Sequence, residues 1–156
     1  MTQGIEPETE PEDLLLQEFR EACLQHGLKV THQRLEIYRA VASSNAHPDA
    51  ETVFRQVRKR IPTVSLDTVY RGLKLLADHR IISVVGVSDE RVRFDANVHS
   101  HHHFVCTHCG AIMDFNAPEL GEIAPPAEAC RLGRPVSIQL EVKGVCAKCQ
   151  ELERRS

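Results

Sequence analysis

Four amphipathic helical patterns follow one another between residues 14 and 76. Gly27 is typical of the end of the first helix, Thr31 and Ser65 are suited to cap the second and fourth, Asp49 begins the third and Pro62 ends it. The apolar positions that recur at helical spacing are Leu15, Leu16, Phe19, Cys23, Leu35, Tyr38, Val41, Val53, Phe54, Val57, Ile61, Leu66, Val69, Leu73 and Leu76. We expect these positions to form one helical core.

A β-hairpin pattern follows the helices. Residues 81–87 and 91–94 are rich in β-branched residues and flank a polar turn at 88–90. Helices followed by a hairpin in this order predict a winged helix-turn-helix domain over residues 14–95. After Asp95 the composition changes to His and Cys, and we expect a second domain over residues 96–156. Its pattern predicts strands at 101–106, 111–115 and 136–142, with a helix within 118–130 that is interrupted at Pro125-Pro126.

The distribution of charge changes what the composition implies about partners. The 156 residues contain 19 Lys and Arg against 22 Asp and Glu, and this net charge of −3 by itself counts against nucleic acid. Residues 1–13 contribute −5 and predict a disordered acidic tail, since they contain two prolines and no Lys or Arg. Residues 14–95 carry 13 basic and 10 acidic residues, so the predicted winged helix is basic and DNA is again a possible partner.

The cysteine and histidine counts indicate metal chemistry. No apolar run approaches the roughly 20 residues that cross a bilayer, and no secretory signal is recognised, so we expect a cytoplasmic protein with no membrane partner. In a reducing compartment, six cysteines favour metal or redox sites over disulfides. Five of the nine histidines fall between His99 and His108.

Two Cys-x-x-Cys pairs predict a zinc site. Each pair can hold one edge of a Zn²⁺ tetrahedron, and a closed four-sulfur site has no open position, so the zinc would be structural. The ligands are Cys106, Cys109, Cys146 and Cys149. Two thiol redox motifs, or an iron site as in rubredoxin, are the alternatives. Cys23 is expected to be a buried small residue, and Cys130 has no evident partner in the sequence.

The histidine cluster predicts a second metal site. His101 and His103 share one face of a strand, and a register that places Asp114 opposite His103 would add a carboxylate. His47 and Asp95 are candidates to complete the set. Three imidazoles and two carboxylates suit Fe²⁺, Mn²⁺ or Zn²⁺. The alternative is an exposed polar strand whose histidines bind nothing.

These motifs together resemble the ferric uptake regulator (Fur) family of metal-dependent repressors. The resemblance covers nearly everything after the acidic tail. It rests on Gly27-Leu-Lys-Val-Thr-His-Gln-Arg34, Ala46-His-Pro-Asp49, Val64-Ser-Leu-Asp-Thr-Val-Tyr-Arg71, Arg93-Phe-Asp95, His101-His-His103, Cys106-x-x-Cys-Gly110 and Cys146-x-x-Cys149. It implies an α+β protein with an N-terminal winged helix-turn-helix domain, followed by a small α/β dimerisation domain with a structural zinc site.

The same resemblance implies a function. The regulatory metal bridges the two domains of such a repressor through the positions of His47, Asp95, His101, His103 and Asp114. Iron-uptake members usually carry Glu where this chain has Asp95 and Asp114, whereas the peroxide-responsive (PerR) branch has Asp at both. In that branch bound Fe²⁺ reacts with hydrogen peroxide, and oxidation of a ligand histidine, at the position of His47 or His101, releases metal and DNA; Mn²⁺ is the other regulatory metal we expect. The alternative is an iron- or zinc-uptake repressor that senses metal level.

Three positions depart from the family pattern. His32 stands where the family usually has Pro, and Arg71 is more typical of the iron-uptake branch. Residues 137–139 lack the His that some members use for a further metal site, so none is expected there.

The resemblance also implies a homodimer on a palindromic double-stranded DNA operator. Half-sites would lie one helical turn of about 34 Å apart, or a multiple of it. We expect Tyr70 and Arg71 to contact bases, because Arg can bind guanine through two hydrogen bonds and Tyr can pack on a thymine methyl. A core position is the alternative for Tyr70. The remaining DNA-binding candidates are Lys29, Arg34, Ser65, Thr68 and Lys74. Of these, the basic residues Lys29, Arg34 and Lys74 would hold phosphates.

Two other classes of protein compete with this interpretation. A zinc enzyme is disfavoured because the four-sulfur site is closed and no His-Glu-x-x-His motif occurs, so we expect no enzymatic activity. In a thiol-switch adaptor, the Cys-x-x-Cys pairs would themselves be the sensor.

Overall fold

A computed structural model describes residues 11–88, 91–99, 101–118, 123–136 and 138–155. The fold is α+β, and the chain forms two compact units that divide between Val98 and His99. Within the described residues, no helix is both long enough and apolar enough to cross a membrane.

The first unit has the predicted order of helices and hairpin. Helices α2, α3 and α4 pack on one another, and β1 pairs with β2 as an antiparallel hairpin, which we call the wing. The elements are α1 (Pro11–Gln25), α2 (His32–Ala42), α3 (Ala50–Arg60), α4 (Leu66–Asp78), β1 (Ser83–Ser88) and β2 (Arg91–Asp95). The winged helix-turn-helix prediction is confirmed.

Three side-chain caps begin the helices at the predicted residues. Thr31 accepts a hydrogen bond from the Arg34 amide, Ser65 from Thr68 and Asp49 from Thr52, the last at 2.8 Å. Burial raises the pKa of the Asp49 carboxyl, but hydrogen bonds from Thr52 and Arg91 outweigh it and the net pKa is lowered. Asp49 is therefore ionised at neutral pH.

The first helix begins earlier than predicted, within the segment expected to be a disordered tail. Residues 1–10 lie outside the described part of the chain, but α1 begins at Pro11, so residues 11–13 are helical. Proline suits the first helical position, and the acidic Glu12 and Asp13 are favourable at a helix N-terminus. Glu12 also forms ion pairs with Arg39 of α2 and Arg60 of α3. These local and long-range interactions explain why the helix starts earlier than its apolar pattern does.

The core of the first unit lies between α1–α4 and the wing. Cys23 is fully buried, as predicted. Leu66 is exposed, contrary to prediction, because it is the first residue of α4 and the helix reaches the core only at Val69. Gly72 of α4 lies against Ile37 of α2, whose Cδ1 occupies the space that a Cβ at position 72 would fill.

The second unit contains a three-stranded sheet in the order β4-β3-β5. Its elements are β3 (His102–Cys106), β4 (Ile112–Phe115), α5 (Ala127–Leu132), β5 (Glu141–Gly144) and α6 (Ala147–Arg155). Strand β3 pairs antiparallel with β4 and parallel with β5. His103 lies opposite Asp114, which is the predicted register.

The strand predicted at 136–142 is wrong in its bounds. It covers Glu141–Gly144, because pairing with β3 rather than apolar alternation determines where it lies; residue 137 is not among the described ones. For the helix predicted within 118–130 with an interruption at Pro125-Pro126, the structure describes α5, which starts after the two prolines and extends to Leu132; residues 119–122 are not described. The sequence pattern did not predict α6.

We expect Gly72→Val to lower the free energy of unfolding of the first unit by about 1–3 kcal/mol, because the added methyls overlap the buried Ile37 side chain. Chemical denaturation followed by helical circular dichroism would measure it. Gly133→Ala is the control, since its Cβ meets nothing within 4 Å, and it should change stability by less than about 0.5 kcal/mol. Equal effects of the two substitutions would contradict the close α2–α4 approach.

Candidate metal centres

The four cysteines of the two Cys-x-x-Cys pairs come together in the second unit. Sγ of Cys106 lies 3.9 Å from that of Cys149, and Sγ of Cys109 lies 3.8 Å from that of Cys146. All four sulfurs lie within 4.8 Å of one another. A tetrahedron with Zn–S bonds of about 2.3 Å needs sulfur–sulfur distances of about 3.8 Å, so the geometry fits Zn²⁺.

Backbone geometry around the first pair shapes this four-sulfur site. Gly110 has φ +69°, a conformation that glycine adopts without steric cost, and its amide donates to the Cys106 carbonyl at 3.0 Å. The Thr107 amide donates to Gly144 at 2.8 Å, which holds the turn against the end of β5. The Cys146 amide donates to the Cys106 sulfur at 3.3 Å. The second pair is thereby held on the first.

The sulfurs differ in acidity. Hydrogen bonds from the backbone amides of Cys109 and Cys146 lower the pKa of the Cys106 thiol to about 6. The pKa of the Cys149 thiol is raised to about 12. Its hydrogen bond with the Cys146 sulfur is the larger cause, and desolvation by burial is the second. Zinc must therefore displace protons from part of the set when it binds.

A second cluster in this unit consists of His101, His103 and Asp114. The two histidine Nε2 atoms lie 2.9 Å apart, and Oδ1 of Asp114 lies 3.5 Å from His101 and 3.3 Å from His103. The Nδ1 of His101 lies 2.7 Å from the His99 carbonyl; as a donor to it, this nitrogen leaves the Nε2 lone pair for a metal. Both rings are 3% exposed.

The first unit contributes a separate histidine–carboxylate pair. His47 Nε2 lies 3.5 Å from Oδ2 of Asp95, and both residues are buried. His47 has φ +48°, an uncommon conformation for a residue other than glycine, which is often associated with functional sites. The Phe94 amide donates to the Pro48 carbonyl at 3.1 Å and holds the His47 segment against β2.

Neighbouring histidines have other contacts. The Leu140 amide donates to Nδ1 of His102 at 3.3 Å, and the His102 ring packs against Phe115 with centroids 5.5 Å apart. His108 is exposed, and its Nδ1 lies 3.2 Å from Oε1 of Glu153. His102 therefore contributes to the sheet rather than to the cluster on the other face.

The candidate DNA-binding residues lie on α4 and at its N-cap, in the first turn of α2 (Arg34) and just before α2 (Lys29). Tyr70 is 51% exposed, so its alternative as a core aromatic is wrong. Arg71 and Lys74 are exposed and pair with Asp67 and Asp78, at 3.0 and 2.9 Å. Ser65 and Thr68 share a 2.8 Å hydroxyl hydrogen bond at the start of α4, and Arg34 donates to the Lys29 carbonyl.

The sequence matches the ferric uptake regulator family model over residues 25–143. The chain belongs to the ferric uptake regulator family. As a member of this family, it is a metal-dependent transcription regulator.

Similar proteins fit this assignment. The peroxide-responsive repressor PerR of Staphylococcus aureus is 34% identical over 136 residues, covering 87% of this chain and 92% of that protein. The Helicobacter pylori ferric uptake regulator Fur has a TM-score of 0.69 at 27% identity, over 91% of this chain and 95% of the other. A zinc uptake regulator solved with zinc and DNA has a TM-score of 0.67 at 26% identity, over 94% and 99%.

Substitution Cys109→Ser should abolish stoichiometric zinc binding and unfold the second unit at a lower temperature, because a ligand of the closed site is lost. Elemental analysis and thermal denaturation would measure both effects. Cys130→Ser is the matched control, since this exposed thiol lies on α5 outside the four-sulfur cluster. Retention of zinc by Cys109→Ser would argue against the four-sulfur site.

Proposed function

We propose that the protein is a transcriptional repressor that senses hydrogen peroxide through a histidine-ligated Fe²⁺. The observation that carries this proposal is the pairing of buried imidazoles with aspartates in both units, His47 with Asp95 and His101 and His103 with Asp114. The similarity to a peroxide-responsive repressor supports it. On this proposal it acts as a regulator rather than an enzyme.

We assign one regulatory ion to ligands from both units. His47, Asp95, His101, His103 and Asp114 offer three imidazoles and two carboxylates, a donor set that suits Fe²⁺ or Mn²⁺. The four cysteines hold a structural Zn²⁺, which matches their donor chemistry and spacing. Loss of the regulatory ion would uncouple the winged helix from the second unit without removing the zinc.

The histidine ligands are the sites of oxidation in this proposal. Fe²⁺ held by these residues would supply the redox chemistry that activates peroxide beside the ligand rings. One peroxide oxygen is inserted at the Cε1–H of His47 or His101, giving 2-oxo-histidine, and the other leaves as water. Both rings are almost completely buried, so an oxidant formed beside them meets a ligand before it meets solvent. The oxidised ring no longer ligates, and metal and DNA are released.

DNA binding is assigned to the first unit of a cytoplasmic homodimer on a palindromic operator. Exposed Tyr70 and Arg71 on α4 are suited to contact base edges, while Lys29, Arg34 and Lys74 would hold phosphates. Ser65 and Thr68, at the N-terminus of α4, would approach the phosphate backbone of the DNA. The ion pairs of Arg71 and Lys74 are exposed and cost little to exchange for DNA contacts.

Stoichiometric peroxide should add the mass of one oxygen atom to His47 or His101 in the iron-loaded protein and abolish operator binding. Tandem mass spectrometry and a DNA mobility shift would measure these changes. Protein loaded with Mn²⁺ or Zn²⁺ is the control, and His102 is an internal one, because it lies beside His101 but faces Leu140 and Phe115.

Two results would count against peroxide sensing at the histidines. Disulfides at Cys106 and Cys109 with zinc loss and unmodified histidines would indicate a thiol switch. Metal-dependent DNA binding that peroxide leaves unchanged would indicate an iron- or zinc-uptake repressor.

Arg71→Ala should weaken operator binding by about 1–3 kcal/mol and relax the base preference at one position. Lys74→Ala should weaken binding to all DNA sequences alike. It should also reduce the slope of log affinity against log salt concentration by about 1, as loss of a phosphate contact does. Fluorescence anisotropy with operator and scrambled duplexes at several salt concentrations would measure both. Lys148→Ala, which removes the same charge from α6, should have no effect. An equal loss of affinity for operator and scrambled duplexes in Arg71→Ala would contradict a base contact by Arg71.

A further inference from the structure

Asp49 connects three parts of the first unit. Its Oδ1 caps α3 by accepting the Thr52 amide at 2.8 Å, and its Oδ2 accepts from Nη1 of Arg91 at 3.0 Å. Its backbone forms an antiparallel bridge with Arg93 of β2. The Asp49 side chain is 8% exposed, whereas that of Arg91 is 61% exposed, so the anchored partner of the ion pair is the carboxylate.

The same short backbone ladder joins Asp49 to the proposed metal ligands. Asp49 faces Arg93, and the Phe94 amide donates to the Pro48 carbonyl, so the segment runs antiparallel to β2. Continuing this register by one pair places His47 opposite Asp95, in agreement with the 3.5 Å between their Nε2 and Oδ2 atoms. The ladder therefore carries metal ligands at one end and the Asp49–Arg91 pair at the other.

The ion pair also adjoins α4. A cavity of about 160 Å³ is lined by residues of the N-terminal turn of α3, the wing and α4, among them Asp49, Tyr70, Arg91 and Phe94. Arg91 is the first residue of β2, the second strand of the wing. A change in the position of Arg91 would thus alter the wing and the surroundings of Tyr70 together.

We propose that Asp49 and Arg91 are positioning residues that make the placement of the wing depend on metal bound at His47 and Asp95. This inference rests on the proposed metal-dependent DNA binding. Metal fixes the ligand end of the ladder, and the ion pair transmits that constraint to the first residue of the wing strand. Neither side chain contacts the metal, so metal affinity in the absence of DNA does not depend on them.

A double-mutant cycle tests the proposal. The proteins are the parent chain, Asp49→Asn, Arg91→Gln and the double variant; Asn is chosen because it still caps a helix. Operator affinity is measured by anisotropy with and without Mn²⁺. In each single variant, the factor by which Mn²⁺ raises operator affinity should be about fivefold smaller than in the parent chain, or smaller still. In the double variant this factor should fall no further than in the more strongly affected single variant.

Metal affinity supplies a second readout. Mn²⁺ affinity of the DNA-free variants, measured by calorimetry, should equal that of the parent chain. When the variants are bound to DNA, their Mn²⁺ affinity should fall below that of the DNA-bound parent chain. The factor should equal the one by which the metal-induced gain in DNA affinity fell, because coupling between two binding sites is reciprocal. Lys59→Gln removes an equal charge from the exposed face of α3, at the other end of the helix from Asp49, and should leave every measurement unchanged.

Two outcomes would overturn the inference. If Arg91 is only a phosphate contact, Arg91→Gln will weaken DNA binding equally with and without metal, and Asp49→Asn will not weaken it. If Asp49 is only a helix cap, Asp49→Asn, which keeps the cap, and Arg91→Gln will both leave the metal-induced gain in DNA affinity unchanged. Absence of a metal-induced gain in the parent chain would instead show that the proposed function has failed, and the inference would fail with it.

Discussion

Strand β3 is the element on which both clusters of the second unit depend. Pairing with β4 brings Asp114 to His103, and pairing with β5 brings the chain to Cys146 beside Cys106. His103 and Cys106 are three residues apart and face opposite sides of the strand. Sulfur ligation at the end of β3 therefore stabilises the register that places the imidazoles, which matters because three short strands bury little apolar surface.

Local signals predicted the helix starts and part of the sites, whereas long-range pairing determined the rest. Thr31 and Ser65 cap helices through bonds to residues three positions away, so the sequence contains the whole interaction. The facing of His103 and Asp114 was predictable because a tight knuckle joins their strands. The bounds of β5 and the Asp49–Arg91 pair depend on residues far apart in sequence, which no local pattern records.

Charge on the candidate DNA-binding helix suggests why such a repressor would need metal. Arg71 and Lys74 each lie against an aspartate one turn away, at Asp67 and Asp78. The exposed face of α4 is therefore less positive than its basic residues alone imply, and the whole chain is acidic at −3. In the proposed homodimer, nonspecific attraction to DNA phosphates would then be weak, and specific binding would depend on correct placement of both winged helices.

Placement by metal is most effective if the metal-free arrangement is itself only slightly favoured. His47 works against that placement, because a non-glycine residue at φ +48° carries about 1–3 kcal/mol of backbone strain that its contacts with β2 must outweigh. A ligand bond at His47 would add to those contacts. Under the proposed function, one oxygen atom inserted at this buried ring would remove the ligand bond while the strain remains.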